Sequence, residues 1–313
     1  MPRLPIILVP LIVVHAALSY PALTQPQVQN LPIIDVHLHA LDVEALRRQG
    51  ANPITRNPAS GSVEENVRRT LAEMKKHNVV LGVVGGSAEE VERFLAAGPE
   101  RIWGSAAFGR PELNLDSLRA RHSSGSLAAI GEVLTQYEGL SPSDSSFAPY
   151  WELAEKLDIP VAVHTGLSFP GITQMGYPNF RVALGSPIHF EGMLNRHPKL
   201  RVNMMHAGFP FLAETTGILY LYPQVYADIG GISWVLPRDE FYAYLRNLIR
   251  AGFEDRIMFG SDQMSWPETI GLAISAIQSA DFLTQQQKRN ILYNNAARFL
   301  KLSPARIARH HQQ

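Results

Sequence analysis

No cysteine occurs anywhere in the 313 residues, which excludes disulfides, thiolate metal ligands, a cysteine nucleophile and a lipid-modified cysteine near the amino terminus. It leaves the compartment open, because a chain of this size can build a core without disulfides. Charge of a single sign is missing as well. The 28 basic and 28 acidic residues cancel, so no general positive field argues for nucleic acid or an anionic membrane as partner. A small molecule, neutral or modestly anionic, is the expected partner, and assembly into a homo-oligomer is left open. No apolar run reaches the roughly 20 residues of a spanning helix. No glycine-rich phosphate loop follows the first strand candidate, which argues against dinucleotide binding. With 46% hydrophobic and 18% charged residues, one large globular domain is the simplest reading.

The amino terminus carries Arg3, an apolar run from Pro5 to Leu18, and then small and polar residues through Ser19, Ala22, Thr24 and Gln25. Residues 1–25 thus read as an export signal. They predict a periplasmic or secreted protein with no stable membrane span once the signal is removed. A retained anchor is the competing reading; the short run and its Pro10 and His15 count against it.

From residue 31 onward, short runs rich in Val, Ile and Ala alternate with longer amphipathic stretches, the pattern of strands and helices around a parallel sheet. Strand candidates lie at 32–38, 79–84, 102–107, 127–133, 159–164, 201–206, 225–229 and 257–261. Helix candidates fall between them, for example 63–77, where Val63, Val67, Leu71 and Met74 share a face. Eight repeats between residues 31 and 302 match the roughly 250 residues of a (β/α)8 TIM barrel in the α/β class. A doubly wound open sheet is the alternative. The barrel is preferred because polar residues of chemical interest end strands one, four, five, six and eight, and a closed barrel brings all of those ends to one mouth. The loops 40–62 and 165–187 are longer than usual connections and are expected to shape a pocket. The tail 303–313 is basic and polar and is expected to be frayed, with His310 and His311 a disordered surface pair.

The pair His37 and His39 closes the first apolar run. Side chains two apart on a strand point the same way, so both imidazoles can reach one divalent ion. Later runs end in Glu132, His164, His206 and Asp262. Any one of these histidines alone would be an ordinary hydrogen-bonded side chain; the ordered set is what points to metal chemistry. Asp35 shares the parity of the pair and is expected to orient an imidazole or to form a buried hydrogen bond.

The segments 34–39, 161–166, 204–208, 226–231, 258–262 and 291–300, in that order, resemble the amidohydrolase superfamily, in its amidohydrolase-related branch (amidohydrolase 2) of metal-dependent hydrolases and decarboxylases. The resemblance implies His37, His39 and His164 as ligands, Asp262 at or beside the metal as a catalytic proton acceptor, and His206 as a ligand or a catalytic partner to the water. Glu132 would suit a bridge between two ions. Zinc is the default for histidine with carboxylate; manganese or iron suits the same ligands. Tyr137, Tyr177, Arg181 and Trp266, together with Arg110, are candidates for substrate contact, and a guanidinium at Arg181 would suit a carboxylate.

The leading expectation is an enzyme that hydrolyses an ester, lactone or amide-like bond through a metal-activated water. The alternative is non-oxidative decarboxylation of a small carboxylic acid at a one-ion site. Metal-dependent deoxyribonucleases share the ligand order, but the balanced charge counts against nucleic acid. A non-catalytic exported barrel that binds a metal or ligand is the reading from another class, and it leaves Asp262 without a purpose.

Overall fold

A computed structural model describes residues 31–312; the export signal expected at 1–25 lies outside the described residues. Eight strands, β1 (Ile33–His39), β2 (Val79–Gly86), β3 (Ile102–Phe108), β4 (Ala129–Val133), β5 (Val161–Val163), β6 (Val202–Met204), β7 (Val225–Asp228) and β8 (Ile257–Met258), pair in chain order. Every pairing is parallel. A doubly wound sheet would reverse direction around its first strand; the uninterrupted order β1 to β8 does not. Across the seam, Val36 N donates to Phe259 O (3.1 Å) and Asp262 N to His37 O (2.8 Å). The ring is therefore a nearly closed (β/α)8 TIM barrel. β8 is shorter than its apolar run because the residues after Met258 bond elsewhere: Phe259 N reaches Ile291 O (2.8 Å) and Ser261 N the carboxylate of Asp35.

The helices form because local signals and burial agree. In the helix Val63–Lys76, Ser62 accepts from Glu65 N and the carboxylate of Glu65 accepts from Gly61 N, which satisfies amides that the first turn leaves open. Its buried residues Val63, Val67, Thr70 and Met74 recur at helical spacing. Burying a side chain such as Met74 contributes about 1.5–3 kcal/mol. Strand residues including Val161, Val163, Val202 and Val225 and helix residues including Trp151, Phe190, Phe241 and Ile277 share one apolar core. A second cluster, with Ile34, Val36, Met258, Tyr293, Ala296 and Phe299, packs beside the β1–β8 seam. Among the described residues, no helix is long and apolar enough to cross a membrane.

The expected frayed tail is corrected by the structure. Pro304–His310 is a helix capped by Ser303. His310 is buried, and its Nδ1 lies 3.0 Å from Tyr293 Oη. Tyr293 offers a docking face that the polar composition of the tail does not reveal.

Candidate metal centre

Six side chains from the carboxyl ends of five strands meet in one cluster. His37 Nε2 and His39 Nε2 are 3.2 Å apart. Glu132 Oε2 lies 3.5 Å from His39 Nε2 and 3.9 Å from His37 Nε2. Its other oxygen, Oε1, lies 3.5 Å from His206 Nε2. Asp262 Oδ1 is 2.9 Å from His39 Nε2 and 3.7 Å from His37 Nε2. The rings of His164 and His206 stand edge to face at 4.8 Å, and His37 and His206 are 5.0 Å apart. The structure thus brings together His37, His39, Glu132, His164, His206 and Asp262, as overlapping groups able to hold an ion.

The backbone turns sharply to deliver them. His206 (φ 58°) and Asp262 (φ 53°) are left-handed, a conformation that costs a non-glycine residue roughly 1–2 kcal/mol and is retained where surrounding contacts enforce it. Asp262 is held by its N–H on His37 O. Next to it, Gly231 (φ +67°) carries no side chain: a Cβ there would lie 2.8 Å from Asp262 Oδ2 and 3.4 Å from His206 Nδ1.

Three of the imidazoles have their Nδ1 engaged from behind. His37 Nδ1 faces Asp228 Oδ1 at 3.1 Å, His164 Nδ1 faces Gln136 Oε1 at 2.9 Å, and His206 Nδ1 faces Gly230 O at 2.8 Å. Each partner is an acceptor, so each Nδ1 carries the proton and each Nε2 is presented to the cluster. Gln263 clamps the strand itself, accepting from His39 N and donating to His39 O, both at 2.8 Å.

The electrostatics are those of a cation site. Burial opposes a charged His37, but Asp228, Asp262 and Glu132 outweigh it and lift its pKa to about 10. Burial likewise opposes ionised Glu132, yet His206, His164, His37 and His39 hold its carboxyl well below the usual range. Asp262 is held down to about 2: its burial is overcome by His37 and His39. His164 is driven the other way, to about 3, by burial and the neighbouring His206, and so stays neutral with a free lone pair.

The donor set fits a divalent ion on two observations. Two imidazole nitrogens 3.2 Å apart repel unless a proton or a cation lies between them. Among the described residues, buried Glu132 Oε1 has nothing nearer than His206 Nε2 at 3.5 Å to satisfy it, an arrangement that costs free energy unless something positive completes it. The field that holds a proton on His37 favours a metal ion in the same place.

The remaining sequence candidates fall in different places. Tyr137 lies beside the cluster, its ring edge-on to His164 at 4.9 Å and its Oη 2.6 Å from Ser168 Oγ. Tyr177 packs against Tyr137 at 4.9 Å. Arg181 is exposed and donates to the carbonyls of Pro178 and Phe180; these local acceptors hold its guanidinium on the loop. Arg110 pairs with Glu138 at 2.8 Å. Trp266 is buried, donates to Gly50 O and stands edge-on to Trp234. Asp35 forms the expected buried hydrogen bonds, from His37 N and Ser261 N. The carboxylate behind the imidazole is instead Asp228, which accepts also from Asn203 and Gly230 N. Asp228 carries the same signal as Glu132, an acid ending an apolar strand; Gln136 carries none.

A nearly closed barrel with histidines and carboxylates converging at the carboxyl ends of its strands defines a metal-binding barrel enzyme. The chain belongs to the amidohydrolase family, whose model matches residues 34–302. Among curated proteins it is similar to Protein fluG of Emericella nidulans, 23% identical over 159 residues, which are 46% of this chain and 18% of that protein. The chain thus matches less than a fifth of that relative's length. Among solved structures it is similar to a probable 2-pyrone-4,6-dicarboxylic acid hydrolase from Acinetobacter baumannii (TM-score 0.63, 16% identity, covering 87% of this chain and 100% of that one). It is also similar to a dihydroxybenzoic acid decarboxylase from Polaromonas with bound manganese (TM-score 0.62, 16% identity, 87% and 97%). A third similar structure is a 2,6-dihydroxybenzoate decarboxylase from Rhizobium (TM-score 0.58, 17% identity, 87% and 99%). At such identities these likenesses establish the fold.

Proposed function

We propose that this amidohydrolase-family enzyme hydrolyses an ester, lactone or amide-like bond of a small organic molecule. The observation that carries the reading is Glu132, whose Oε2 faces His37 and His39 while its Oε1 faces His206, so that its two oxygens would suit a pair of ions. His37, His39, Glu132, His164, His206 and Asp262 would hold divalent ions, which would supply Lewis acidity to a carbonyl and to water. Asp262, ionised and 2.9 Å from His39, accepts the proton of the attacking water and returns it to the leaving group. His206, with its Nδ1–H committed to Gly230 O, presents Nε2 to the cluster beside Glu132 Oε1 and would serve as a ligand on that side of the carboxylate. Tyr137 and Tyr177 form an aromatic wall beside His164 against which an apolar part of the substrate packs.

Zinc is the proposed ion, from the mixed imidazole and carboxylate donors; the manganese of the similar Polaromonas decarboxylase makes manganese the parallel choice. The second reading is non-oxidative decarboxylation at a one-ion site, supported by the decarboxylases among the similar structures. Metal per chain, measured in wild type and Glu132→Ala, separates the two. Two ions falling to one or none support hydrolysis. One ion unaffected by the change moves the weight to decarboxylation, and no uptake of zinc or manganese removes both. The segment 1–25 carries a further proposal, export to the periplasm or medium, tested by amino-terminal sequencing of the mature protein after cell fractionation.

A further inference from the structure

We propose that Gln136 is a positioning residue that latches the ligand His164 to the 166–185 segment at the barrel mouth, so that metal occupancy and the order of that segment are linked. This rests on the metal-site reading above. Gln136 is fully buried in the turn Thr135–Glu138 that follows β4. Its Nε2 donates to Gly166 O (2.9 Å) and Arg181 O (3.1 Å). Both partners are carbonyls and accept only, so both amide protons are committed. Its Oε1 must therefore accept from His164 Nδ1 (2.9 Å), which fixes the tautomer that leaves His164 Nε2 free. One side chain thus holds a metal ligand together with the beginning and the far part of the segment that follows β5.

The surroundings are built for this latch. Gly166 N donates to Gly185 O at 2.8 Å. A Cβ on Gly185 would lie 2.6 Å from Gln136 Nε2, so only glycine lets the returning chain pass there. The next residue, Tyr137, adds a parallel link through Ser168 Oγ and rings packed on His164, Tyr177 and Phe180. Between these anchors the segment buries Ile172 and Phe180 but exposes Leu167, Phe169, Met175 and Val182 and contains only short turns, so the latch carries much of its order. A cation on Nε2 makes the Nδ1–H of His164 a stronger donor. The polarised amide of Gln136 then binds Gly166 O and Arg181 O more strongly. Linkage is reciprocal: loosening the latch weakens metal binding.

The test is hydrogen exchange across 166–185 with and without zinc, alongside zinc affinity, on the full chain. Wild type, Gln136→Met and Gln136→Glu are compared. Zinc is expected to slow exchange in the wild-type segment by about fivefold or more. Gln136→Met is expected to lose zinc affinity by about 10–100-fold, and its zinc-saturated segment to exchange at least as fast as that of the zinc-free wild type. Gln136→Glu keeps the acceptor for His164 but faces two carbonyls with a carboxylate. It is expected to hold zinc better than the methionine variant while the segment stays fast. The helix Arg238–Arg250 is expected to exchange alike in all three, which separates a latch from general destabilisation. Zinc uptake by wild type without slowing of the segment overturns the inference alone, whether or not a variant folds; so does Gln136→Met with wild-type affinity and slowing. Failure of wild type to take up zinc or manganese overturns the metal reading itself.

Discussion

His37 and His164 belong to one cluster, yet their proton affinities lie on opposite sides of neutrality. His37, with Asp228 on its Nδ1 and Asp262 and Glu132 in front, is pushed to about 10. His164, with the neutral amide of Gln136 on its Nδ1 and His206 alongside, falls to about 3. Both are buried, so burial alone does not separate them. The partner does: a carboxylate stabilises the imidazolium, whereas an amide oxygen orients the ring without paying for its charge. The β1 side of the site is thereby a charge-compensated cation site, and the β5 side a preformed lone pair tied to the mouth.

The largest test of this contrast lies in front of the cluster. Replacing Asp262 by Asn is expected to lower kcat by about 10³-fold with the circular dichroism spectrum unchanged; a variant of full activity would remove the proton-transfer role. Next, Asp228→Asn removes the charge behind His37. Metal affinity is expected to fall by about 10–100-fold. By NMR titration of the ion-free protein, the His37 midpoint should drop from about 10 toward the ordinary imidazole range. An unchanged midpoint would show that Asp228 is not what distinguishes the two rings.

The pH dependence follows with a defined sign. The raised His37 favours the folded ion-free chain below about pH 6.5, and that contribution is lost as pH rises through about 10. Because an ion must displace the proton, metal uptake is expected to strengthen from pH 6.5 toward 10. Calorimetric titration in buffers of different ionisation enthalpy reports the proton released; uptake independent of pH would contradict the assignment.

The smallest effect is a third imidazole outside the site. His310, like His164, is lowered, to about 4, by burial and by Arg306 and Arg309. Its contribution to stability is present above about pH 6.5 and is lost as pH falls through about 4. Hydrogen exchange of Pro304–His310 should accelerate over that window, and His310→Phe should abolish the dependence. The Tyr293 hydrogen bond itself contributes about 1 kcal/mol.

Much of this was legible in advance, for reasons that can be named. Strand periodicity places His37 and His39 on one face whatever surrounds them, and buried parallel strands announce themselves as apolar runs, so the eight elements and their polar ends are visible. Trp266 and Arg181 show the boundary. Each residue type suits substrate contact, but Gly50 O and the Pro178 and Phe180 carbonyls, which decide where they point, come from loops without periodicity. Gln136 and the tail fail for the same cause: a glutamine after a strand and a basic terminus look like surface until His164 and Tyr293 are placed against them.

The chain by itself determined the barrel, its eight repeats and the order of imidazoles and carboxylates, because short-range alternation and helical spacing are properties of neighbouring residues. Only the tertiary structure decided which carboxylate supports which imidazole, which nitrogen each ring presents, and how the mouth is tied to the site. Those depend on contacts such as His37 with Asp228 and His164 with Gln136, made across the barrel between residues that no local pattern relates.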